Sequence, residues 1–199
     1  MDFIHINMHF GIGIIIASIS KYFFQFNFFE FFLIVLFSFL CDFDIFFSKY
    51  ALDNNHRMLI THSIIPGMII TVLGLILNWI VLIIAGISYV IHIIIDTFDW
   101  GTNFLYFQKK QIGFKLLITK DEFMNMSKYL AQYKKPESFF DKKYYGNAVC
   151  VIIEILIFIL MILFISIFAF QYFLVITFYF IFLSFHLHRH IILKKIESD

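Results

Sequence analysis

Long apolar runs alternate with short polar breaks along this chain of 199 residues. A bilayer core of about 30 Å needs roughly 20 apolar residues per helix, and tilt or local thinning lets shorter runs span it. The pattern therefore predicts six transmembrane helices in three hairpins. Their expected bounds are His9 to Ser20 and Tyr22 to Leu40, then Ser63 to Leu77 and Trp79 to Ile95 around Asn78, then Val149 to Phe170 and Tyr172 to Phe185 around Gln171.

One long stretch between the second and third hairpins is too polar to enter lipid. Asp96 to Ala148 carries nine lysines, and Thr119 and Glu122 within it have the spacing of a capping box. Apolar residues follow at helical spacing, which predicts one amphipathic surface helix without chemistry of its own. The expected organisation is a membrane domain over 1–100, a basic loop over 101–147, and a C-terminal hairpin with a basic tail over 148–199.

Composition supports a polytopic, all-α membrane bundle. The chain is 61% hydrophobic and 21% aromatic, with a mean hydropathy of +0.88, far above the usage of soluble domains. The start, Met1-Asp2-Phe3, lacks the basic region of a secretory signal, so the first apolar run is expected to stay in the mature protein. Cys41 and Cys150 form no disulfide framework and are expected to be free thiols.

The basic residues predict the orientation of the bundle. Three hairpins place both termini, the loop 41–62 and the loop 96–148 on one side of the membrane. Fourteen of the fifteen Lys and Arg residues lie in those segments, and Lys21 alone lies at a tip on the far side. By the positive-inside rule, both termini are expected in the cytoplasm.

The same topology gathers polar residues that are far apart in sequence. His92 and Asp96 are four residues apart and should share one helix face, a common spacing for two ligands of one metal. Charges near lipid are costly unless they are paired or bind a cation, so a cluster at one depth favours a metal site. Seven residues are expected at the cytoplasmic helix ends: His9, Asp42, Asp44, His56, His62, His92 and Asp96.

Imidazole and carboxylate ligands leave the metal open among zinc, manganese, iron and magnesium. The predicted ligands are His9, Asp42, His62, His92 and Asp96, with Asp99 in reserve for Asp96.

Four ordered motifs lie in the first half of the chain: His9-Phe10-Gly11, Asp42-Phe43-Asp44, the run from His56 to Ser63, and His92 to Asp96 with Gly101 shortly after. Together they resemble the motifs of the YdjM-like inner-membrane proteins, a family described as metal-dependent hydrolases. Cys41 stands where that family usually has proline, and Ile45 where a polar residue often follows, but the predicted ligands are retained. The resemblance implies a divalent-metal hydrolase in the inner membrane.

A mechanism compatible with this resemblance assigns roles to three further residues. A bound divalent cation would activate a water, whose proton Asp44 or His56 could take. Arg57 is expected to neutralise an anionic substrate group, because a guanidinium matches phosphate in two-pronged fashion. A phosphoester or lipid-linked substrate at the membrane surface is the expectation, and seven candidate ligands leave room for two metals.

Other polar residues support rival functions. The tail histidines His186, His188 and His190 follow a membrane helix and are expected to anchor it to headgroups. Glu154 lies inside a membrane helix, where an acid is a functional candidate, and a transporter or proton pathway would use it. A non-catalytic membrane protein is the third alternative. No nucleic-acid motif, glycine-rich phosphate loop or nucleophile elbow is present.

Overall fold

The computed structural model describes residues 6–108 and 110–199. The start of the chain, including the N-terminus predicted to be cytoplasmic, lies outside this part.

The described residues confirm the all-α prediction. They contain no strand, and their β pairing is an isolated bridge between Thr102 and Ile112. The α-helices are α1 (Ile6–Phe24), α2 (Phe28–Phe37), α3 (Ile64–Ile76), α4 (Ile80–Asp99), α5 (Lys120–Met124), α6 (Met126–Leu130), α7 (Pro136–Tyr145), α8 (Ala148–Phe168) and α9 (Ile176–Ser198). Turns of 3₁₀-helix cover Leu40–Tyr50, Leu52–Asn54, His56–Met58, Ile60–His62 and Phe170–Val175.

Four helical segments of the described chain are long and apolar enough to cross a membrane. These are α1, α4, α8 and the continuous Phe170–Ser198 segment that contains α9. A fifth is formed if α2 and Leu40–Tyr50, bent by 41° at their junction, count as one span. At about 1.5 Å per residue, the 13 residues of α3 reach only about 20 Å, short of a bilayer core.

Tight turns join the apolar helices where the sequence places isolated polar residues. Gln25 and Asn78 adopt φ values of 55° and 50°, in the left-handed region, which sends the chain back on itself. Asn27 then caps α2 in a capping box with Glu30, whose side chain accepts from the Asn27 N–H. The first hairpin therefore turns at 25–27, because α1 continues past the predicted end at Ser20 to Phe24.

The centre of the bundle is α1, which packs against α2, α8 and α9. Phe10, Ile14 and Ala17 on α1 are buried in the main apolar core. The outer faces stay apolar: only 11% of the α8 span is buried, and Ile155 and Ile159 are exposed. So large an uncovered apolar surface fits a helix that faces lipid.

The segment between α4 and α8 forms a small lobe with its own core of Trp100, Leu117, Ile118, Phe139 and Tyr144. The Thr119–Glu122 capping box is present, but the predicted amphipathic helix is divided at Asn125 into α5 and α6.

Two other parts of the chain differ from the sequence pattern. Helix α7 was not predicted, although Pro136 at its first turn is a helix-start signal. The tail expected to leave the helix after Phe185 continues as helix to Ser198.

Candidate metal centre

The structure brings all seven predicted polar residues into one buried cluster. They come from the start of α1, from the 3₁₀ segments over 40–62, and from the last turns of α4. These parts of the chain meet at one end of the bundle. The sharp bend after α2 is what turns the Leu40–Tyr50 segment toward α4. Each of the seven has a side-chain nitrogen or oxygen within 3.4 Å of an atom in another.

Asp44 is one of two carboxylates that organise the cluster. Its Oδ1 lies 2.9 Å from His56 Nδ1, and its Oδ2 lies 2.9 Å from His62 Nδ1. The Thr61 hydroxyl also donates to Oδ2 at 2.6 Å. Asp44 therefore orients two imidazoles that follow it by a dozen and by eighteen residues.

Asp96 is the second organising carboxylate and is fully buried. Its Oδ2 lies 2.7 Å from His62 Nε2 and 3.4 Å from His92 Nε2. Its Oδ1 lies 3.3 Å from His9 Nε2 and 3.4 Å from Arg57 Nη2. The predicted sharing of one helix face by His92 and Asp96 is thus confirmed.

The tautomer of His92 follows from its surroundings. Its Nδ1 lies 2.8 Å from the Ser38 carbonyl oxygen, which can only accept, so Nδ1 carries the proton. The other ring nitrogen, Nε2, lies between Asp42 Oδ1 and Asp96 Oδ2, each 3.4 Å away, without a hydrogen-bond partner. A ring nitrogen that faces two carboxylates needs a proton or a metal cation between itself and them. This arrangement, with the other ring nitrogen held by a main-chain oxygen, is typical of a metal-ligating histidine.

Further buried atoms of the cluster also lack hydrogen-bond partners. They are His9 Nδ1 and Asp42 Oδ2, together with Asp96 Oδ1, whose contacts with His9 and Arg57 are ion pairs without hydrogen-bond geometry. Buried polar atoms are rarely left unpaired, and unpaired atoms gathered beside carboxylates are typical of a cation-binding site. The rings of His9 and His92 stack with centroids 3.6 Å apart, which keeps both imidazoles beside the same carboxylates.

Three overlapping sets of side chains have ligand atoms that all lie within 4.8 Å of one another. His62 belongs to each of the three sets. The donors are imidazole and carboxylate, with one thiol, which suits zinc best and manganese, iron or magnesium in part. The sets are Asp42, His62, His92 and Asp96; Asp44, His56 and His62; and Cys41, His62 and His92.

Protonation differs between the two histidines of the 56–62 segment. Burial disfavours the charged form of His62, but hydrogen bonds to Asp44 and Asp96 outweigh it and raise its pKa to about 9. Burial lowers the pKa of His56 below its ordinary value, although Asp44 opposes the shift. His62 therefore bridges two carboxylates as a cation when no metal is bound, whereas His56 is neutral and can accept a proton.

The Arg57 side chain forms ion pairs with two aspartates of α4, Asp96 and Asp99. Its Nη1 and Nη2 donate to the two Asp99 oxygens at 2.9 and 3.3 Å, and Nη1 lies 3.3 Å from the Asp96 carbonyl. Burial opposes its charge, but Asp96 and Asp99 outweigh burial and raise the guanidinium pKa. The reserve ligand Asp99 is thereby engaged with Arg57, and the substrate-binding role of Arg57 stays a prediction.

The sequence did not predict the residues that bind the main chain of the 56–62 segment and so support the cluster. The Thr102 hydroxyl donates to the His62 carbonyl at 2.7 Å, and the Asn103 N–H donates to the Arg57 carbonyl at 3.0 Å. Gly101, at φ 80°, makes the turn that returns the chain from α4 to this position. The available signal was the Gly-Thr-Asn run directly after an apolar helix, which is typical of a structured turn.

Glu154 lies outside the cluster. Its two carboxylate oxygens accept hydrogen bonds from Asn7 Nδ2 and the Tyr144 hydroxyl, which join α8 to α1 and α7. Cys41 and Cys150 are free thiols, as predicted.

These observations define an all-helical membrane protein with a buried histidine and aspartate cluster suited to a metal. The sequence profile described as YdjM inner membrane protein matches residues 2–173, and the chain belongs to that family. No curated protein and no solved structure matches the chain.

Proposed function

We propose that this protein is a membrane-embedded, divalent-metal-dependent hydrolase. The observation that carries the proposal is the buried His92 Nε2, which lies 3.4 Å from both Asp42 Oδ1 and Asp96 Oδ2 without a hydrogen-bond partner. Family membership adds the inner membrane as the location.

The residues present fit a metal. Asp42, His62, His92 and Asp96 would hold it, with His9 beside them. When bound, a divalent cation supplies Lewis-acid polarisation of the scissile oxygen and lowers the pKa of water. The second set, Asp44 with His56 and His62, is left for proton transfer or for a second cation.

The geometry of the second set supports the proposed proton-transfer roles. Neutral His56 donates its Nδ1 proton to Asp44, which leaves the Nε2 lone pair free to take a proton from water. In phosphoester hydrolysis the water oxygen forms a bond to phosphorus, the ester P–O bond breaks, and the proton passes on to the departing alcohol. Arg57 contributes by holding Asp96 and Asp99, in addition to the predicted contact with an anionic substrate.

We place the site at the cytoplasmic surface, with six spans in three hairpins. The three turns and the charge asymmetry support this topology, and α3 is accommodated as a short span by tilt or thinning of the bilayer. Reporter tags at residue 199, at residue 1 and near Pro136 are expected to be cytoplasmic. A terminal tag found outside would contradict the three-hairpin arrangement.

Hydrolysis is tested with purified protein in detergent, supplied in turn with zinc, manganese and magnesium. Phosphate monoester and diester chromogenic substrates are expected to be cleaved, cleavage should stop with EDTA and return with metal, and Asp96→Asn should abolish it. Activity that survives both EDTA and Asp96→Asn would come from a contaminant and would count against the proposal.

A transporter has less support. Transport sites usually lie near the bilayer midplane, whereas the cluster lies at the helix ends. Glu154, the acid such a pathway would need, has both oxygens occupied by Asn7 and Tyr144. Sealed proteoliposomes separate the two functions: solute accumulation that depends on Glu154, without hydrolysis, would favour the transporter.

A further inference from the structure

We propose that Cys41 is a thiolate ligand of the bound metal, together with His62 and His92, and that it makes the centre selective for zinc. This sulfur ligand requires the metal of the proposed function but does not require hydrolysis.

The Cys41 thiol lies close to two histidines of the cluster. Its sulfur and one ring nitrogen each from His62 and His92 all lie within 4.8 Å of one another. All three residues are buried, and Cys41 is only 3% exposed. The same two histidines belong to the set with Asp42 and Asp96, so a cation between the rings would have sulfur as well as carboxylate oxygen near it.

Both imidazoles are already held through Nδ1, which leaves Nε2 of each ring as the ligand atom. His62 Nδ1 lies 2.9 Å from Asp44 Oδ2, and His92 Nδ1 lies 2.8 Å from the Ser38 carbonyl oxygen. The buried His92 Nε2 has no hydrogen-bond partner. A metal-ligating histidine usually has its other ring nitrogen bonded to a carboxylate or a main-chain oxygen. The two rings are therefore oriented for one cation, to which Cys41 adds a third ligand.

An apolar wall of α4 holds the Cys41 side chain in this position. Cys41 packs in one buried cluster with Tyr89 and Ile93. The Tyr89 hydroxyl donates to the Thr61 carbonyl, so the same wall also fixes the chain directly before His62. A free cysteine that serves only as a small apolar group packs among apolar side chains. Cys41 has such neighbours, but it also has two imidazoles close enough to share a metal with it.

A sulfur ligand decides among the metals that imidazole and carboxylate leave open. Magnesium takes oxygen ligands and manganese favours carboxylate and water, whereas zinc binds both thiolate and imidazole. Catalytic zinc commonly has three protein ligands and one open position for water. Cys41, His62 and His92 supply three, and the thiol proton is released to solvent when the metal–sulfur bond forms. The centre is therefore expected to select zinc over magnesium and manganese.

X-ray absorption at the zinc edge tests the proposal without any variant. The sample is the full chain in detergent, free of affinity tags and loaded with a single equivalent of zinc. One sulfur neighbour at about 2.3 Å is expected, with nitrogen or oxygen neighbours at about 2.0–2.1 Å. A spectrum with only nitrogen and oxygen neighbours would overturn the proposal.

Cobalt(II) in place of zinc identifies the cysteine. A thiolate bound to cobalt gives a charge-transfer band in the near ultraviolet, which imidazole and carboxylate ligands do not give. We expect this band in the wild type and in Cys150→Ser, and its loss in Cys41→Ser. Cys150 is the matched control because, among the described residues, it is a free thiol that belongs to none of the three ligand sets. A band that persists in Cys41→Ser, or that disappears in Cys150→Ser, would contradict the assignment.

Metal affinity tests the selectivity. Competition with a chelator should show that Cys41→Ser binds zinc at least about tenfold more weakly than the wild type, with magnesium affinity nearly unchanged. Equal losses for the two metals would refute the role of Cys41 in choosing the metal. If Cys41→Ser fails to fold, the zinc-edge spectrum of the wild type still decides whether sulfur is a ligand.

Hydrolysis and the sulfur ligand can be refuted separately. Ester cleavage by a protein whose zinc has only nitrogen and oxygen neighbours would refute the sulfur ligand alone. A sulfur-bound zinc in a protein that cleaves no ester would refute the hydrolase alone. A protein that binds no divalent metal would refute both.

Discussion

Replacement of Arg57 by lysine should lower stability and metal content together. The guanidinium is buried and its two terminal nitrogens donate to both oxygens of Asp99, while one of them also approaches Asp96 Oδ1 at 3.4 Å. Lysine keeps the positive charge but offers a single ammonium in place of the planar fork. At least one of the charge-assisted contacts is therefore lost, and Asp96 loses the group that holds its Oδ1.

The size of the effect follows from these contacts. A hydrogen bond to a charged group contributes about 1.5–3 kcal/mol, so Arg57→Lys is expected to cost about 2 kcal/mol of unfolding free energy. Arg57→Gln removes the charge as well and leaves two buried acids uncompensated, for which about 3–5 kcal/mol is expected. Lys49→Gln, an exposed cation in the preceding segment, is the matched control and should change stability by less than about 0.5 kcal/mol.

Equilibrium unfolding in mixed detergent micelles measures these differences, and elemental analysis of the same samples measures bound metal. We expect the Arg57→Lys protein to have a lower free energy of unfolding and a lower metal content than the wild type. Both quantities should be lower still in Arg57→Gln. A lysine variant with normal stability and normal metal but impaired phosphoester turnover would refute this reasoning, because it would show that Arg57 acts on the substrate and not on Asp96 and Asp99.

Two further predictions concern the packing around the cluster. Gly13→Ala would place its Cβ 2.1 Å from Ser38 Oγ, so it should lower the free energy of unfolding by about 1–3 kcal/mol. It should also lower metal binding, because the Ser38 carbonyl orients the His92 imidazole. Gly11→Ala is the control and should cost less, because the atom nearest to its Cβ belongs to the movable Ile157 side chain, at 3.1 Å. Equal effects of the two alanines would contradict the role of the Ser38 contact. Tyr144→Phe removes a hydrogen bond to Glu154 and should cost about 1–3 kcal/mol in the same unfolding assay with metal content unchanged; a loss of metal would show that the two networks are coupled.

The side-chain members of the cluster could be predicted because the sequence encodes them locally. His92 and Asp96 follow from helical periodicity, and Asp42 and His62 follow from their positions at the ends of apolar runs. A membrane bundle with short turns brings such ends together, so order along the chain was enough to predict the set of residues that meet.

The supporting contacts could not be predicted in the same way. The Ser38 carbonyl accepts a hydrogen bond from His92 Nδ1 because the chain bends after α2. The spacing of side chains along the sequence does not indicate which main-chain oxygen such a bend exposes. The pairing of Arg57 with Asp99 depends on how α4 ends relative to the 56–58 turn. Asn27 and Glu30, by contrast, have the sequence spacing of a capping box, which predicts a helix that begins at residue 28 and so places the first turn where it is observed.

Metal content of the purified protein tests the central claim most directly. Elemental analysis by mass spectrometry should find a divalent transition metal or magnesium bound to the wild type, and Asp42→Asn, His62→Ala and Asp96→Asn should each lower it. His188→Ala, an exposed histidine in the tail, is the control and should leave it unchanged. A wild type that binds no divalent metal after reconstitution, or a His188→Ala protein that loses as much as the three cluster variants, would contradict the account.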